Sequence, residues 1–496
     1  MFHSNIVRGL VTGLLCLCAV ASLAQEADLL LTGTLSRDDH QSYREIQFTV
    51  PAGTERITVE FSYDRSERTT VDLGLYDSQR FRGWSGGNKA RFTLSETDAT
   101  PSYLPGPLPA GEWRLLLGIP NIRDGVTSEY AARIYFQRGA AAHNQGFTEQ
   151  PLANAPGWYR GELHAHSGHS DGRCTRNRHD DSRHPCPLEE SLRAAEARGL
   201  DFISLTEHNA RSQYGVLREL QPHYEKLLLL PGREITTFYG HANLFGTTGF
   251  VDFRVTDGDI RPLQQAVQQL GGVLSINHPG LPSGEDCMGC GWTAQTDYRH
   301  ITAMEVINGS TLNKAQGKVD HPYSGIPYWE KLLQRGYRIT AIAGSDNHNP
   351  TAATEYGHGD IGAPATVIYA RELSQAALMA GLKSGRVFID LQPEHKRTFE
   401  MQASAERGTA AMGETLEVAS GETVEITLNA RGVDQPQFRL VTVFGREDIA
   451  GVQSGGQWHG TFRLPVTANL KWARAEIRDV DGNLQVLGNP VFFTAR

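Results

Sequence analysis

Residues 161–166 read Gly-Glu-Leu-His-Ala-His, and this stretch ends an apolar segment in two histidines, His164 and His166. Residues two apart on a strand point to the same side, so both imidazoles can bind one metal ion or neighbouring ions. Asp171 follows shortly after, in Ser-Asp-Gly. A single His-x-His pair is weak evidence, because most such pairs are ordinary surface or core histidines. The pair becomes informative only if other strand ends carry the same residue types.

Five further apolar segments in the middle of the chain also end in histidine or carboxylate residues. These residues are Glu207 with His208, Glu234 followed by His241, then His278, Glu305, and Asp346 with His348. In a barrel of parallel strands the C-terminal strand ends meet at one face, so residues distant in sequence come together there. Imidazoles and carboxylates suit zinc, iron or manganese better than calcium, which prefers oxygen ligands alone. The pattern therefore predicts a site for divalent metal ions.

The same region, residues 157–394, alternates helical and strand-like stretches. Residues 188–198 have helical periodicity and precede the apolar segment 202–206, and residues 263–270 precede the segment 272–276 in the same way. Such alternation, with strands that are apolar throughout, is typical of a parallel sheet in an α/β fold, either doubly wound or closed into a barrel. No G-x-G-x-x-G or Walker sequence follows a strand, which disfavours a nucleotide-cofactor fold.

At these residues the chain resembles the PHP superfamily (polymerase and histidinol phosphatase domains), in particular its CehA/McbA-like metallohydrolase branch. The resemblance covers roughly residues 157–394. It rests on motifs that follow the family's order: Gly-Glu-Leu-His-Ala-His-Ser, Ser-Asp-Gly, Thr-Glu-His-Asn, Gly-Arg-Glu-Ile-Thr, Gly-His-Ala-Asn, Ile-Asn-His-Pro-Gly, Met-Glu-Val-Ile-Asn-Gly and Gly-Ser-Asp-Asn-His. It implies a distorted (β/α)7 barrel that holds two or three divalent ions. The stretch 173–187 departs from the family pattern.

Carried over by motif, the resemblance implies nine metal ligands for three ions. The first ion takes His164, His166, Glu234 and Asp346; the second shares Glu234 and adds His241 and His278; the third takes Asp171, His208 and His348.

Two further residues are candidates for the reaction rather than for metal binding. Glu305 ends a strand near the expected ions, where it could orient a ligand or act as a catalytic proton shuttle, or simply meet solvent. Arg233, next to the bridging glutamate, is a candidate contact for an anionic substrate, although alternation along the strand could point it away.

Both flanks of this region have the short alternating strands of β-sandwiches. Residues 29–140 and 395–496 alternate polar and apolar side chains between turns rich in Pro, Gly and Asp, and residues 138–156 have the composition of a linker. We predict an N-terminal and a C-terminal β-sandwich. Neither shows a set of residues with evident chemistry, which favours packing or recognition roles.

Residues 1–24 form the chain's one targeting segment. Arg8 precedes a short apolar run, and Ser22-Leu-Ala24 has the small-x-small form of a signal-peptide cleavage site. Four cysteines remain beyond it, and we favour two disulfides, Cys174–Cys186 and Cys287–Cys290, over a four-thiolate zinc site. The sequence predicts a periplasmic or secreted protein without a membrane anchor.

Composition narrows the function further. The formal charge of −9, from 47 basic and 56 acidic residues, does not suggest a nucleic-acid partner.

We expect an exported metal-dependent hydrolase that acts through an activated water on a small-molecule or polymer-derived ester, with phosphoesters favoured. Carbamate, ester or amide hydrolysis within the same branch is the first alternative, and an amidohydrolase is a weaker one. A polymer- or glycan-binding protein with structural ions is the alternative from another class. The sequence leaves the oligomeric state open.

Overall fold

A computed structural model describes residues 26–177, 180–285, 287–392 and 395–495. The predicted signal peptide, residues 1–24, lies outside the described residues. None of the helices in these ranges is long and apolar enough to cross a membrane.

The N-terminal unit consists of eight strands in two antiparallel sheets that enclose one core. The strands are β1 Leu29–Leu35, β2 Ser42–Val50, β3 Arg56–Tyr63, β4 Thr70–Tyr76, β5 Phe81–Gly86, β6 Arg91–Ser95, β7 Gly111–Asn121 and β8 Ser128–Gln137. One sheet has the order β1-β8-β3-β6 and the other β2-β7-β4-β5. Ile57 from the first sheet and Leu73 and Trp113 from the second are buried in the same cluster. Alternation produces this arrangement, since every second side chain of a strand faces the core.

The described residues of the central unit form eleven strands and seven short α-helices. The strands are β9 Gly157–Glu162, β10 Arg173–Asn177, β11 Asp180–Pro185, β12 Phe202–Leu205, β13 Leu228–Thr237, β14 Gly240–Phe245, β15 Val273–Ile276, β16 Ala303–Asn308, β17 Thr340–Gly344, β18 Ala365–Ala370 and β19 Val387–Asp390. The helices are α1 Gly139–His143, α2 Leu188–Ala197, α3 Gln213–Leu220, α4 Arg261–Gln269, α5 Gly309–Lys314, α6 Ile326–Gln334 and α7 Gln375–Ser384. Strands β10 and β11 pair only with each other within the described chain, in a hairpin inside the stretch that departs from the family pattern.

The main central sheet is mixed rather than wholly parallel. Its order is β17-β16-β15-β14-β13-β12-β9-β18-β19. Strand β14 runs antiparallel to β13 and β15, β18 runs antiparallel to β9 and β19, and the other pairings are parallel. Strands β12, β15 and β17 are buried along their whole length, as expected for strands that are apolar throughout. The residues that follow β9 and β17 meet at one isolated bridge, between Ala165 and Asn347. A closed (β/α)7 barrel is therefore not confirmed.

The C-terminal unit is also built of strands, and part of it continues the central sheet. The strands are β20 Thr398–Ala405, β21 Gly408–Ala411, β22 Thr415–Val418, β23 Thr423–Arg431, β24 Gln437–Thr442, β25 Gly445–Ala450, β26 Val452–Ser454, β27 Gln457–Pro465, β28 Trp472–Arg478, β29 Leu484–Gly488 and β30 Val491–Ala495. Strands β21-β20-β23-β27-β26 form a separate sheet, whereas β29 pairs with β19 and extends the central sheet through β28, β24 and β25. Hydrogen bonds thus cross the boundary that the sequence places at 394–395.

Buried ion pairs join the three units. Asp98 of the N-terminal unit contacts Arg56 of the same unit and Arg218 of α3. At the other side, Arg474 of β28 contacts Glu330 of α6. These contacts fix the flanking units against the central sheet.

Candidate metal centre

Strand ends deliver the predicted ligands to one edge of the central sheet. His164 and His166 follow β9, His208 follows β12, His278 follows β15, and Asp346 and His348 follow β17. Glu234 stands within β13, and His241 stands at the start of β14. Because β14 is antiparallel to its neighbours, its beginning lies at the same edge as their C-terminal ends. All nine predicted ligands come together there; their division among three ions stays a prediction.

The first predicted group is buried and has ligand-like spacing. Asp346 Oδ1 lies 3.3 Å from Nε2 of both His164 and His166. Glu234 Oε1 lies 3.4 Å from His164 Nε2. Two ligands held ~2.1 Å from one zinc-like ion in tetrahedral geometry are themselves about 3.4 Å apart. The spacing suits a shared cation.

Glu234 also reaches the second predicted group. Its Oε1 lies 3.3 Å from His241 Nδ1 and 3.6 Å from His278 Nε2. The carboxylate is fully buried between the two groups. This central position is the one that a bridging ligand requires.

The third predicted group is more open to solvent. Asp171 Oδ1 lies 3.4 Å from His348 Nε2 and 3.6 Å from His208 Nε2. The side chain of Asp171 is 56% exposed, whereas that of Glu234 is fully buried. Access from solvent is therefore easiest at this group.

Several ring nitrogens at the centre lack the partners that buried polar groups normally have. In the described part of the chain, His164 Nε2 and both ring nitrogens of His166 are buried without a hydrogen-bond partner. Native proteins leave few buried polar groups unsatisfied. Imidazole nitrogens facing carboxylate oxygens are the donor set that divalent zinc, manganese or iron accepts. The residues present thus fit such ions, whose identity and number the structure does not specify.

Burial and neighbouring charges shift the pKa values of these groups in opposite directions. Burial, with help from nearby His348, lowers the pKa of His166 to about 4, so this ring is neutral at pH 7. Burial opposes ionisation of Glu234, but His164 and His208 outweigh it and hold the pKa of Glu234 well below its usual range. Burial also disfavours the charged form of His348, yet Asp171 and Asp346 raise its pKa to about 9. Glu234 is thus ionised and His166 is neutral, which are the forms that bind metal, whereas His348 is protonated in the metal-free protein and must lose its proton to bind an ion.

Backbone geometry at two ligands is unusual. His278 and Asp346 have φ values of +27° and +55°, a region that non-glycine residues seldom adopt. Such conformations cost about 1–3 kcal/mol each and cluster at functional sites. The fold thus tolerates local strain where these ligands are presented.

Glu305 lies against a predicted ligand and does not meet solvent. Its side chain is 2% exposed, and Oε1 lies 3.0 Å from His164 Nδ1. Oε2 accepts a hydrogen bond from the backbone N–H of His278 at 3.0 Å. A carboxylate that holds the far nitrogen of a histidine fixes the ring and turns its other nitrogen towards the ion. The geometry favours the orienting role among those expected for Glu305.

Arg233 is not brought to the ligands. It follows the alternation of β13, so its side chain lies opposite that of Glu234. Its guanidinium donates to the Gly249 carbonyl at 3.3 Å and lies 5.9 Å from the centroid of the Phe250 ring. The contact with an anionic substrate expected from the sequence is therefore not supported.

Three polar side chains that the sequence reasoning missed support the ligands. Asn277 Nδ2 donates to Glu234 Oε1 at 2.8 Å, and Asn308 Nδ2 donates to Asp346 Oδ2 at 3.2 Å. Thr236 Oγ1 lies 2.6 Å from His208 Nδ1. Asn277 and Asn308 belong to the quoted strand-end motifs. Their positions in those motifs, beside a predicted ligand in one case and close to Glu305 in the other, could have identified them from the sequence.

A cavity of about 460 Å³ opens over the centre. Its floor includes Asp171, Glu234 and Asp346, and its walls include the apolar side chains of Leu281 and Met288. Lys314, at the end of α5, is the one lysine or arginine among the described residues that line it. The sequence offered no signal for Lys314, which a short helix places at the cavity wall.

Both favoured cysteine pairs lie at disulfide distance. Cys174 and Cys186 have Cα atoms 5.0 Å apart and join β10 to the residue after β11. Cys287 and Cys290 have Cα atoms 5.6 Å apart and close a loop at the cavity wall. Such pairs fit an oxidising compartment.

Comparison with known proteins gives distant structural similarity. No family model and no curated protein matches the sequence. A two-domain protein from Bacteroides vulgatus, described as containing a predicted PHP-like metal-dependent phosphoesterase, is similar at 18% identity and a TM-score of 0.37. The match covers 69% of this chain and 97% of that one. The functional argument for this chain therefore rests on its own metal centre.

Proposed function

We propose that this protein is a metal-dependent hydrolase with a PHP-like central unit, and that phosphoesters are its substrates. The observation that carries the proposal is the set of nine ligand-type side chains gathered around buried Glu234, with unpartnered imidazole nitrogens, beneath an open cavity. A structural metal site is normally closed by its ligands, whereas a catalytic site keeps an accessible position. Access through the cavity thus favours catalysis over a purely structural role.

The chain's own residues prepare the site for ions and substrate. Divalent ions, when bound, would lower the pKa of a water molecule to about 7 and stabilise developing negative charge. Glu305 holds the Nδ1 side of His164, and Asn277 fixes one oxygen of Glu234. These contacts hold the ligands in place before substrate arrives.

Lys314 supports phosphoesters over the carbamate, ester and amide alternative. A phosphoester carries a negative charge that a lysine at the cavity wall can bind, and lysine is a common phosphate contact. A neutral ester or carbamate offers no such charge. The alternative remains a candidate because the same ions could activate water for those bonds.

Export completes the proposal. The two cysteine pairs at disulfide distance support a periplasmic or secreted location, together with the signal-peptide pattern of residues 1–24.

The test compares metal-loaded and chelated protein on p-nitrophenyl phosphate, bis(p-nitrophenyl) phosphate, p-nitrophenyl acetate and an aryl carbamate. Elemental analysis of the freshly purified protein identifies the ions to restore. We expect hydrolysis of a phosphate substrate that chelation abolishes and metal restores. Turnover of only the acetate or carbamate would move the assignment to the alternative. No turnover at all, with tight binding of a polymer, would favour a binding protein.

The variant Lys314→Met tests whether Lys314 favours phosphoester substrates over neutral esters. We expect it to raise the KM for the phosphate substrates at least several-fold and to leave turnover of a neutral ester unchanged. Lys318→Met is the matched control, because Lys318 is exposed and lies outside the described cavity lining. Equal behaviour of the two variants would contradict the role of Lys314.

A further inference from the structure

The loop Cys287–Cys290 touches one of the predicted ligands through its backbone. The carbonyl oxygen of Met288 lies 3.2 Å from His241 Nε2. On the other side of the same ring, His241 Nδ1 faces Glu234 Oε1 at 3.3 Å. The imidazole is thus held between the loop and the bridging glutamate.

The two nitrogens of His241 have different partners, and this difference selects a tautomer. A carbonyl oxygen can only accept a hydrogen bond, so Nε2 must carry the hydrogen that points to Met288. A neutral imidazole has one N–H, so the lone pair of Nδ1 is left facing Glu234. That is the form in which His241 can bind a cation beside the glutamate.

Packing fixes the position of this carbonyl. The cysteines on either side of Met288–Gly289 pair with each other, and Cys290 is fully buried. Gly289 has φ +76°, and a Cβ atom there would collide with the carbonyl oxygen of Thr237 at the end of β13. Trp292 covers Gly240 at the start of β14, next to His241. The loop is therefore pressed against the turn that carries the ligand.

We propose that the loop closed by Cys287 and Cys290 is a positioning clamp for His241, acting through the Met288 carbonyl to keep Nδ1 free for a metal ion. The proposal rests on the metal-binding part of the proposed function and not on the identity of the substrate. It assigns the second cysteine pair a role in the metal centre beyond closing a turn.

The test measures Zn²⁺ binding to metal-free full-length protein by calorimetry, with bound zinc counted by elemental analysis. The double variant Cys287→Ser/Cys290→Ser should weaken one class of zinc site about 10–100-fold, the usual effect of losing a group that orients a ligand. Unchanged zinc affinity in the serine variant, with its fold intact by circular dichroism, would overturn the proposal.

A second pair of variants keeps the test decisive if the serine variant does not fold. Gly289→Ala leaves the cysteines in place but forces the loop away from Thr237, so we expect the same loss of zinc affinity. Gly284→Ala is the matched control, because nothing lies within 4 Å of the added methyl group. Equal zinc affinities in these two variants would also contradict the clamp. Absence of zinc binding by the unmodified chain would instead refute the proposed function.

Discussion

Buried carboxylates have different partners in the flanking units and at the candidate metal centre. Asp98 in the N-terminal unit and Glu476 in the C-terminal unit each lie against two arginines. Glu234 and Asp346 in the central unit lie against histidines. All four side chains sit where water is scarce, so each negative charge needs a partner.

Arginine and histidine partners differ in whether they can offer a lone pair to a metal ion. Arginine stays protonated in proteins, so the pairs at Asp98 and Glu476 are permanent and complete. Asp98 receives hydrogen bonds from Arg56 at 2.7 and 3.0 Å. Histidine can lose its proton and offer a lone pair, and the ring nitrogens of His166 have no hydrogen-bond partner. The arginine pairs thus bury charge to stabilise the fold, whereas the histidine contacts bury charge in a form that can still bind a metal ion.

Removal of Asp98 should give the largest effect and should affect stability alone. Asp98→Ala leaves Arg56 and Arg218 buried without their counterion, which costs about 3–5 kcal/mol of unfolding free energy. Urea unfolding of metal-free protein measures the loss. Bound metal, counted on protein that remains folded, should be unchanged.

Asp448→Ala is the control for that prediction. Its pair with Arg439 lies at the surface, where the aspartate side chain is 47% exposed, so the loss should stay below about 1 kcal/mol. Similar losses in the two variants would contradict the distinction between buried and exposed pairs.

Removal of charge at Glu234 should affect metal binding rather than the fold. Glu234→Gln keeps the size but deletes the charge that would offset two ions, so metal affinity should fall by more than about 100-fold, beyond the effect of losing an orienting group. His348→Ala should lose less metal, because His348 belongs only to the more open group with His166, Asp171 and His208. Elemental analysis and hydrolysis assays on both variants decide between them. Full metal content in Glu234→Gln would refute the bridging role.

The convergence of the ligands could be predicted from the sequence because strand ends in such a sheet meet at one edge. His164, His208 and Asp346 each follow an apolar strand, and that position alone placed them together. The antiparallel course of β14 could not be read in this way, since it depends on a tight turn before Gly240. His241 was assigned to the predicted site through its motif rather than through its strand direction.

Other features of the structure depend on contacts that the hydrophobic periodicity of the sequence does not indicate. Lys314 reaches the cavity from a helix of six residues, and the Met288 carbonyl comes from a loop. The C-terminal unit shares a sheet with the centre through β19 and β29, a pairing between segments about a hundred residues apart. The misplacement of Arg233 has a simpler reason, since strand alternation already indicated its opposite orientation.

Glu305→Gln should have a smaller effect on metal binding than Glu234→Gln. The amide cannot accept two hydrogen bonds with the strength of a carboxylate, so the orientation of His164 loosens while the ligand itself remains. We expect metal affinity to fall about 10–100-fold, measured by competition with a chelator. Glu112→Gln, at an exposed position of β7, is the control and should bind metal normally. A loss as large as that of Glu234→Gln would indicate that Glu305 binds an ion directly.

A change in pH should give the smallest effect, and Asp98 and His348 should respond to it in opposite directions. Arg218 and Arg56 outweigh burial and hold the pKa of Asp98 below its usual range. The ionised Asp98 therefore makes its full contribution to the free energy of unfolding above the unfolded pKa of about 3.9. This contribution is lost as the pH falls below that value, by about 1 kcal/mol at pH 3. His348 has a raised pKa of about 9. In metal-free protein, protonated His348 therefore makes its full contribution to the free energy of unfolding below about pH 6.5, and this contribution is lost as the pH rises through 9. The measurement is the difference in unfolding free energy between the unmodified chain and Asp98→Asn across pH 3–7. That difference should narrow only below about pH 4, and a constant difference down to pH 3 would show that Asp98 is not an ionised partner of the arginines.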